Sequence, residues 1–139
     1  MIDIRAPIVP GKLAAGISIG GLVKELRTTV TTQSTTKLSS GERYDLDVIK
    51  LWVKNGVITQ ICVRSGYRGV LENRISIGST IGDVEERFGC SVEEDEEDNL
   101  IAPNSPGWCF ETEEWAKPYT VSNNRNAKIT SISVFKTRK

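Results

Sequence analysis

The chain of 139 residues contains no histidine. Imidazole is the general base of a Ser-His-Asp triad, the partner of many catalytic cysteines and a common ligand of zinc. All of these sites are therefore excluded within this chain. An enzyme would depend on carboxylates, Lys, Tyr or Cys alone, and no pair of acidic residues stands out from its neighbours as a catalytic pair. We therefore predict a protein that is not an enzyme and that uses no cofactor and no metal.

Long apolar runs are also missing. No window approaches the roughly 20 apolar residues that a membrane-spanning helix needs. The apolar stretch 13–17 is short and lacks the basic start of an export signal. We therefore predict a cytoplasmic protein without a membrane partner. Cysteine is scarce as well: Cys62, Cys90 and Cys109 are an odd number with no CxxC spacing, which favours reduced, buried thiols over disulfides or a metal site.

The net charge is zero only as an average over the chain. Residues 1–70 carry ten Lys and Arg against five Asp and Glu, whereas residues 71–139 carry eight against thirteen, so the halves differ in sign at +5 and −5. An acidic second half would repel nucleic-acid phosphates. The basic loop 64–69 has only two Arg and one Tyr and continues into no basic stripe. We therefore predict no nucleic-acid partner.

Two short blocks recur in the same order in both halves. Residues 17–26 align with 75–84 at an offset of 58, and residues 55–63 align with 126–134 at an offset of 71. An insertion of about 13 residues in the second copy reconciles the two offsets. This pattern predicts a duplication within a single domain of residues 1–139. Repeat one covers about residues 13–70, and repeat two covers about residues 71–139.

Each repeat predicts a short helix followed by antiparallel strands. Thr80 and Asp83 form the start pattern of a helix, and Gly89 is placed to end it, which predicts a helix near 80–88. Its counterpart in repeat one is expected near 20–28. The polar stretch 28–40 then predicts a loop or a frayed edge strand without chemistry of its own.

Asn55 and Gly56 predict a tight hairpin, because this pair supplies the positive φ angles of a type I′ turn. The turn sets an expected register. It pairs Val53 with Ile58 and Ile49 with Cys62 on one face, and Trp52 with Thr59 and Val48 with Val63 on the other. Residues 107–113 and 128–136 are the matching strands of repeat two. The predicted class is α+β: two tandem helix-plus-antiparallel-strand repeats, with the helices packed on an antiparallel sheet.

The motif Ile-x-Ile-Gly-x-Thr-x-x-Asp-Val-x-x-x-Phe-Gly at residues 75–89, followed by the strand Lys-Ile-Thr-Ser-Ile-Ser-Val at 128–134, resembles the unit of the β-lactamase-inhibitor-protein-like fold. Small outer-membrane assembly lipoproteins use the same fold. The resemblance covers about 40 residues per copy and implies a helical hairpin on an antiparallel sheet, carried in tandem. Gly21 and Leu22 depart from it where repeat two has Ser79 and Thr80. The shared positions are structural, so the resemblance transfers no functional residue.

The small, neutral chain with one concentrated acidic segment is also similar in type to bacterial immunity proteins that neutralise contact-dependent inhibition toxins and bacteriocins. This similarity implies a stoichiometric inhibitor that binds a basic cognate toxin without turnover. The alternative is an envelope assembly or scaffold module of the outer-membrane lipoprotein type. Evidence of export would distinguish the two hypotheses. A signal peptide followed by a lipidated Cys would favour the assembly module. The oligomeric state does not follow from the sequence.

The predicted partner-binding residues are acidic side chains with one aromatic neighbour. Gathered like charges raise the encounter rate with a positive surface, and aromatic residues beside them are typical of interface hot spots. A solvated surface loop is the alternative interpretation of the acidic run. The candidate residues are Glu93, Glu94, Asp95, Glu96, Glu97, Asp98, Glu111, Glu113, Glu114 and Trp115.

Overall fold

A computed structural model describes residues 3–26, 34–39 and 41–137. Within these ranges the chain is mostly β-structure, with ten strands and a single α-helix, α1, at Ile81–Phe88. Short 3-10 turns occupy Val23–Leu26, Glu72–Arg74 and Ser122–Asn124. The strands are β1 Leu13–Ala14, β2 Ile17–Ser18, β3 Ser34–Leu38, β4 Gly41–Leu46, β5 Ile49–Lys54, β6 Val57–Arg64, β7 Glu93–Glu94, β8 Leu100–Ile101, β9 Trp108–Thr112 and β10 Ile129–Phe135.

Eight of the strands form one antiparallel sheet in the order β3-β4-β5-β6-β10-β9-β8-β7. Strands β1 and β2 form a separate two-stranded sheet. The order is symmetric about its centre, because each half of the chain contributes four consecutive strands and β6 pairs with β10 in the middle. Both halves therefore share one continuous sheet.

The expected class of two helix-plus-strand repeats is wrong. In the described part of the chain only the second half contains an α-helix, and the large sheet supplies most of the structure. The helix expected near 20–28 is a 3-10 turn at Val23–Leu26, and residues 27 and 28 lie outside the described residues. Gly21 and Leu22 stand where the second half has Ser79 and Thr80, so the capping hydroxyl is missing and a single turn forms. The duplication itself stays a prediction.

Helix α1 forms as the sequence predicts. The Thr80 side chain accepts a hydrogen bond from the Asp83 amide at 3.1 Å, and the Asp83 carboxylate accepts one from the Thr80 amide at 3.0 Å. This reciprocal pair satisfies amides that the first helical turn leaves without acceptors. Gly89 ends the helix in the left-handed conformation, with φ 66°.

The hairpin at Asn55 and Gly56 is also confirmed, but its register changes partway along. Val53 pairs with Ile58 as expected, whereas Ile49 pairs with Val63 instead of Cys62. A bulge between Trp52 and Val53 explains the difference, because one extra residue on β6 shifts the pairing by one position. A shift by one reverses the face of every later side chain. Residues expected on the outer face therefore point into the core, and Cys62 points out of it.

One face of the sheet carries the hydrophobic core. Apolar side chains of β5, β6, β9 and β10 are buried there against α1 and the segments near Ile8, Leu71 and Ile75. Trp108 is only 1% exposed and links helix to sheet, because its ring lies 5.5 Å from that of Phe88 and 5.5 Å from that of Phe110, between centroids. The predicted stretch 28–40 contains the edge strand β3, and residues 28–33 and 40 lie outside the described residues.

We expect Thr80→Ala to lower the free energy of unfolding by about 1 kcal/mol, because the Asp83 amide loses its acceptor at the start of α1. Urea unfolding followed by circular dichroism measures the change. Ser91→Ala, which also removes a hydroxyl at an exposed position after α1, is the control and should leave stability unchanged. Equal stabilities for Thr80→Ala and the wild type would contradict the role of the cap.

Candidate functional site

The face of the sheet opposite the core forms an open groove of about 1170 Å³. Its floor is the outer face of β6, β10 and β9, the three strands at and beside the centre of the sheet. These strands bury large apolar side chains such as Ile61, Ile132 and Phe110 in the core, whereas the middle of their outer face carries small side chains. The depression therefore follows from the alternation of side chains along each strand.

Small side chains line the middle of the floor. Cys62, Ser133 and Cys109 form one row across β6, β10 and β9, because Ser133 pairs with both cysteines. Ser131 lies two residues before Ser133 on the same face. These four side chains are between 6% and 9% exposed. A ligand entering the groove would therefore meet a shallow polar floor of thiols and hydroxyls.

Positively charged side chains line one side of the groove. Lys50 on β5 pairs with Cys62, and Arg64 at the end of β6 pairs with Ser131. Arg64 Nε donates to the backbone carbonyl of Asp47 at 2.8 Å, which anchors the guanidinium to the turn between β4 and β5. Asp47 also borders the groove here. We call Lys50 and Arg64 the cationic wall.

Acidic side chains line the opposite side. Glu111 on β9 pairs with Ser131, whose hydroxyl donates to its carboxylate at 3.0 Å. Asp95 and Glu97 reach the groove from the loop between β7 and β8. Asp95 Oδ1 accepts from the amides of Glu97 and Asn99, both at 2.9 Å, so this carboxylate shapes its own loop. We call Asp95, Glu97 and Glu111 the acidic wall.

The two walls face each other without pairing. Arg64 and Glu111 lie on either side of Ser131, two strand spacings apart, which corresponds to about 10 Å between their Cα atoms. The salt bridges of the described residues are Arg43 with Asp45 and Arg125 with Glu85. Neither includes a residue of the walls, so no charge of either wall forms a salt bridge with another described residue.

Two aromatic rings lie at one end of the groove. Trp52 on β5 and Phe135 on β10 both line it, and Gln60 on β6 pairs with each of them. Both rings are half-buried. Aromatic rings that remain partly accessible beside polar side chains are typical of protein interfaces.

The two thiols of the floor are poor nucleophiles. Burial raises the pKa of Cys62, and the nearby Ser131 and Ser133 hydroxyls offset only part of that rise. Burial raises the pKa of Cys109 to about 12, with a further contribution from the Asp95 carboxylate. Because the thiolate is the reactive form, both side chains act as small uncharged groups at neutral pH.

The structure distributes the ten predicted partner-binding residues over two neighbouring depressions. Asp95, Glu97 and Glu111 line the groove. A second pocket of about 220 Å³ takes in Glu94, Asp98, Glu113 and Trp115, together with Leu100, Thr112 and again Glu111. Glu93, Glu96 and Glu114 line neither depression and are exposed.

Trp115 is half-buried beside the second pocket, and its ring nitrogen donates to the Thr112 hydroxyl at 2.8 Å. The Glu113 carboxylate accepts from the Lys128 amide at 2.8 Å and therefore also holds β10 to β9. Within the described ranges, no group of three or more metal-ligating side chains is placed to hold an ion. The described helices also include none that is long and apolar enough to cross a membrane.

Sequence reasoning missed the cationic wall and the floor. The missed residues are Lys50, Trp52, Cys62, Arg64, Ser131, Ser133 and Phe135. A signal for the floor exists in β10, where Ser131 and Ser133 interrupt an otherwise apolar strand. Such small polar residues at alternate positions indicate an outward face that is not covered by the core. Arg64 belongs to the basic loop 64–69 noted in the sequence, but its place beside the floor depends on the bulge between Trp52 and Val53. Lys50 alternates with the inward Ile49 and Leu51, so the strand pattern alone indicates its outward position.

We expect Cys109 to react with iodoacetamide about a thousandfold more slowly in the folded protein at pH 8 than in urea, because a thiol of pKa about 12 is almost fully protonated there. Mass spectrometry of the alkylated peptides measures both rates. Cys90, half-buried and outside the groove, is the internal reference. Rapid labelling of folded Cys109 would contradict the burial of this thiol.

No protein-family model matches this chain, and no curated protein sequence matches it either. Among solved structures, the uncharacterized protein yfeY from Escherichia coli is similar, with a TM-score of 0.63 and 12% sequence identity. The match covers 94% of this chain and 100% of that one. At this identity the likeness shows a shared fold, so the chain has the fold of yfeY.

Proposed function

We propose that this protein is a non-catalytic binding protein that receives another protein on the open face of its sheet. The observation that carries the proposal is the groove with its two oppositely charged walls, whose side chains form no salt bridge with any residue that the structure describes. Exposed charges on opposite sides of a polar floor contribute little to the stability of the fold. They do gain from a partner that supplies the missing counter-charges.

The size of the groove favours a protein over a small molecule. Pockets for small ligands enclose about 300 to 1,000 Å³ and bury most of the ligand among apolar side chains. This groove is larger, at about 1170 Å³, and open, and charged or polar residues form most of its lining. Trp52 and Phe135 add the partly accessible aromatic rings that protein interfaces use as anchors.

The chemistry of the groove favours binding without turnover. The sequence contains no histidine, and the two thiols of the floor are protonated at neutral pH because burial raises their pKa. Neither side chain supplies the activated nucleophile that covalent catalysis requires. The groove therefore offers contacts for a partner, and its two floor thiols are not activated. The Ser131 hydroxyl donates to the Glu111 carboxylate and forms part of the floor.

Within this class we propose an immunity protein that acts in the cytoplasm and occludes a cognate toxin. The support is the charge division of the chain together with the acidic wall, because Asp95, Glu97 and Glu111 would steer a basic toxin toward the groove. Steering raises the association rate, and contacts of the aromatic end would slow dissociation.

We expect the double variant Glu97→Lys and Glu111→Lys to lower the association rate with the partner by at least about tenfold at low salt, because both acidic side chains line the groove. The partner is captured from an extract of the source cells, purified, and measured by surface plasmon resonance across a salt series. The salt dependence of the rate should flatten in this variant.

The matched control is the double variant Glu93→Lys and Glu96→Lys, which makes the same charge change on exposed residues outside both depressions. It should retain most of the association rate. If the two variants behave alike, net charge determines the encounter and the groove does not. Capture that survives both changes would contradict the proposed binding surface.

We also expect the captured partner to arrest growth when it is expressed alone, and co-expression of this chain to restore growth. The Glu97→Lys, Glu111→Lys variant should restore growth poorly, because it captures the toxin slowly. Colony counts after induction measure the effect. A partner that is harmless alone would contradict the immunity function and favour the alternative envelope assembly module.

A further inference from the structure

We infer that the occupant of the groove is an extended segment of the partner that carries an acidic residue for the cationic wall and a basic residue for the acidic wall. The inference rests on the proposed function and specifies the ligand of the same site. It also departs from the expectation of a basic partner, because Lys50 and Arg64 border the groove together with the acidic residues.

The cationic wall carries the first step of the argument. Lys50 and Arg64 would be covered by any partner that fills the groove. A charge that loses water without gaining a counter-charge costs more than the contact returns. The carboxylate of Asp45, which pairs with Lys50 in register, is held by Arg43 at 3.5 Å. Asp47 also borders this side of the groove, and among the described residues its carboxylate forms no salt bridge with Lys50 or Arg64. A tightly bound partner would therefore gain by supplying a carboxylate of its own.

The same reasoning applies to the acidic wall. The described chain places no cation within salt-bridge distance of Asp95, Glu97 or Glu111. A basic side chain of the partner would meet several carboxylates at once here. The partner therefore needs both signs of charge, separated by the width of the floor.

An extended segment satisfies this requirement because its side chains alternate in direction. Laid along β10 above Ser131 and Ser133, such a segment points neighbouring residues toward opposite walls. The small floor leaves room for its backbone. From Ser131 to Phe135 the rise is about 13 Å, so a segment of roughly five residues would span the floor and reach Trp52 and Phe135 with an aromatic or apolar side chain.

The test is a display selection with random twelve-residue peptides on the full chain, immobilised at low salt. Enriched peptides should contain an acidic and a basic residue at neighbouring or next-but-two positions, with an aromatic residue nearby. Synthetic versions are then measured by fluorescence anisotropy. Lys50→Glu should weaken their affinity by at least about tenfold, whereas Lys54→Glu, on the same strand but exposed and outside the groove, should not.

A charge exchange completes the test. A peptide whose acidic residue is replaced by Lys should lose affinity for the wild type and regain it on the Lys50→Glu variant. A general loss of structure in that variant could not produce this recovery. The inference would be overturned by enrichment of basic peptides alone or by no enrichment at all. It would also be overturned if Lys50→Glu left the peptide affinity unchanged.

The two proposals fail separately. If a captured protein depends on Glu97 and Glu111 but no peptide shows the mixed charge pattern, the binding function stands and the extended segment is wrong. If mixed-charge peptides bind as described but no protein is captured from the source cells, the groove chemistry stands and the proposed function is wrong.

Discussion

The pairing of β6 with β10 is the interaction on which the rest of the structure depends. It joins residues 60–64 to residues 131–135 and so converts two four-stranded halves into one sheet. On its inner face the seam buries Ile61, Val63, Ile132 and Val134. On its outer face the same strands present Cys62, Ser131 and Ser133 to the groove. The same pair of strands therefore contributes one face to the core and the other face to the candidate site.

The contrast between the two faces has a simple physical basis. Each strand alternates, so a large apolar side chain inward forces its neighbours outward. In the middle of the outer face those neighbours are Ser131 and Ser133 on β10, Cys62 on β6 and Cys109 on β9, and burial raises the pKa of both thiols. Small side chains in the middle and longer charged side chains on both sides form a depression. The strands alone therefore produce the groove. The loop between β7 and β8 only adds its acidic side chains to one rim.

The elements that the sequence predicts correctly are those specified by adjacent residues. Thr80, Asp83 and Gly89 determine the ends of α1, and Asn55 with Gly56 determines the hairpin. The register beyond that hairpin depends on a bulge, and the sequence around Trp52 and Val53 carries no local mark of it. One displaced residue changed which side chains of β6 faced the core. The outward position of Arg64 was hidden for that reason, whereas Lys50 alternates with the inward Ile49 and Leu51. Three of the predicted acidic residues do line the groove.

The two halves share equivalent backbone contacts, but these contacts do not make the halves identical in secondary structure. The amide of Ile58 donates to the carbonyl of Gly21, and the amide of Ile129 donates to the carbonyl of Ser79, at the offsets of 58 and 71 residues seen in the sequence. The halves nevertheless differ in helix content, because a capping hydroxyl is present at Thr80 and absent at Leu22. The two halves are therefore similar in these backbone contacts. They differ where a single side chain, the cap at Thr80, determines the local conformation.

The central position of β10 has a kinetic consequence. This strand comes last among the described strands, and its partner β6 lies about 70 residues earlier. Contacts between such distant segments form slowly, because the intervening chain must first lose its freedom. The three strands of the groove floor come from both halves: β6 from the first, and β9 and β10 from the second. A chain in which β6 has not yet joined β10 lacks the cationic wall beside the floor, so only the complete sheet presents both walls together.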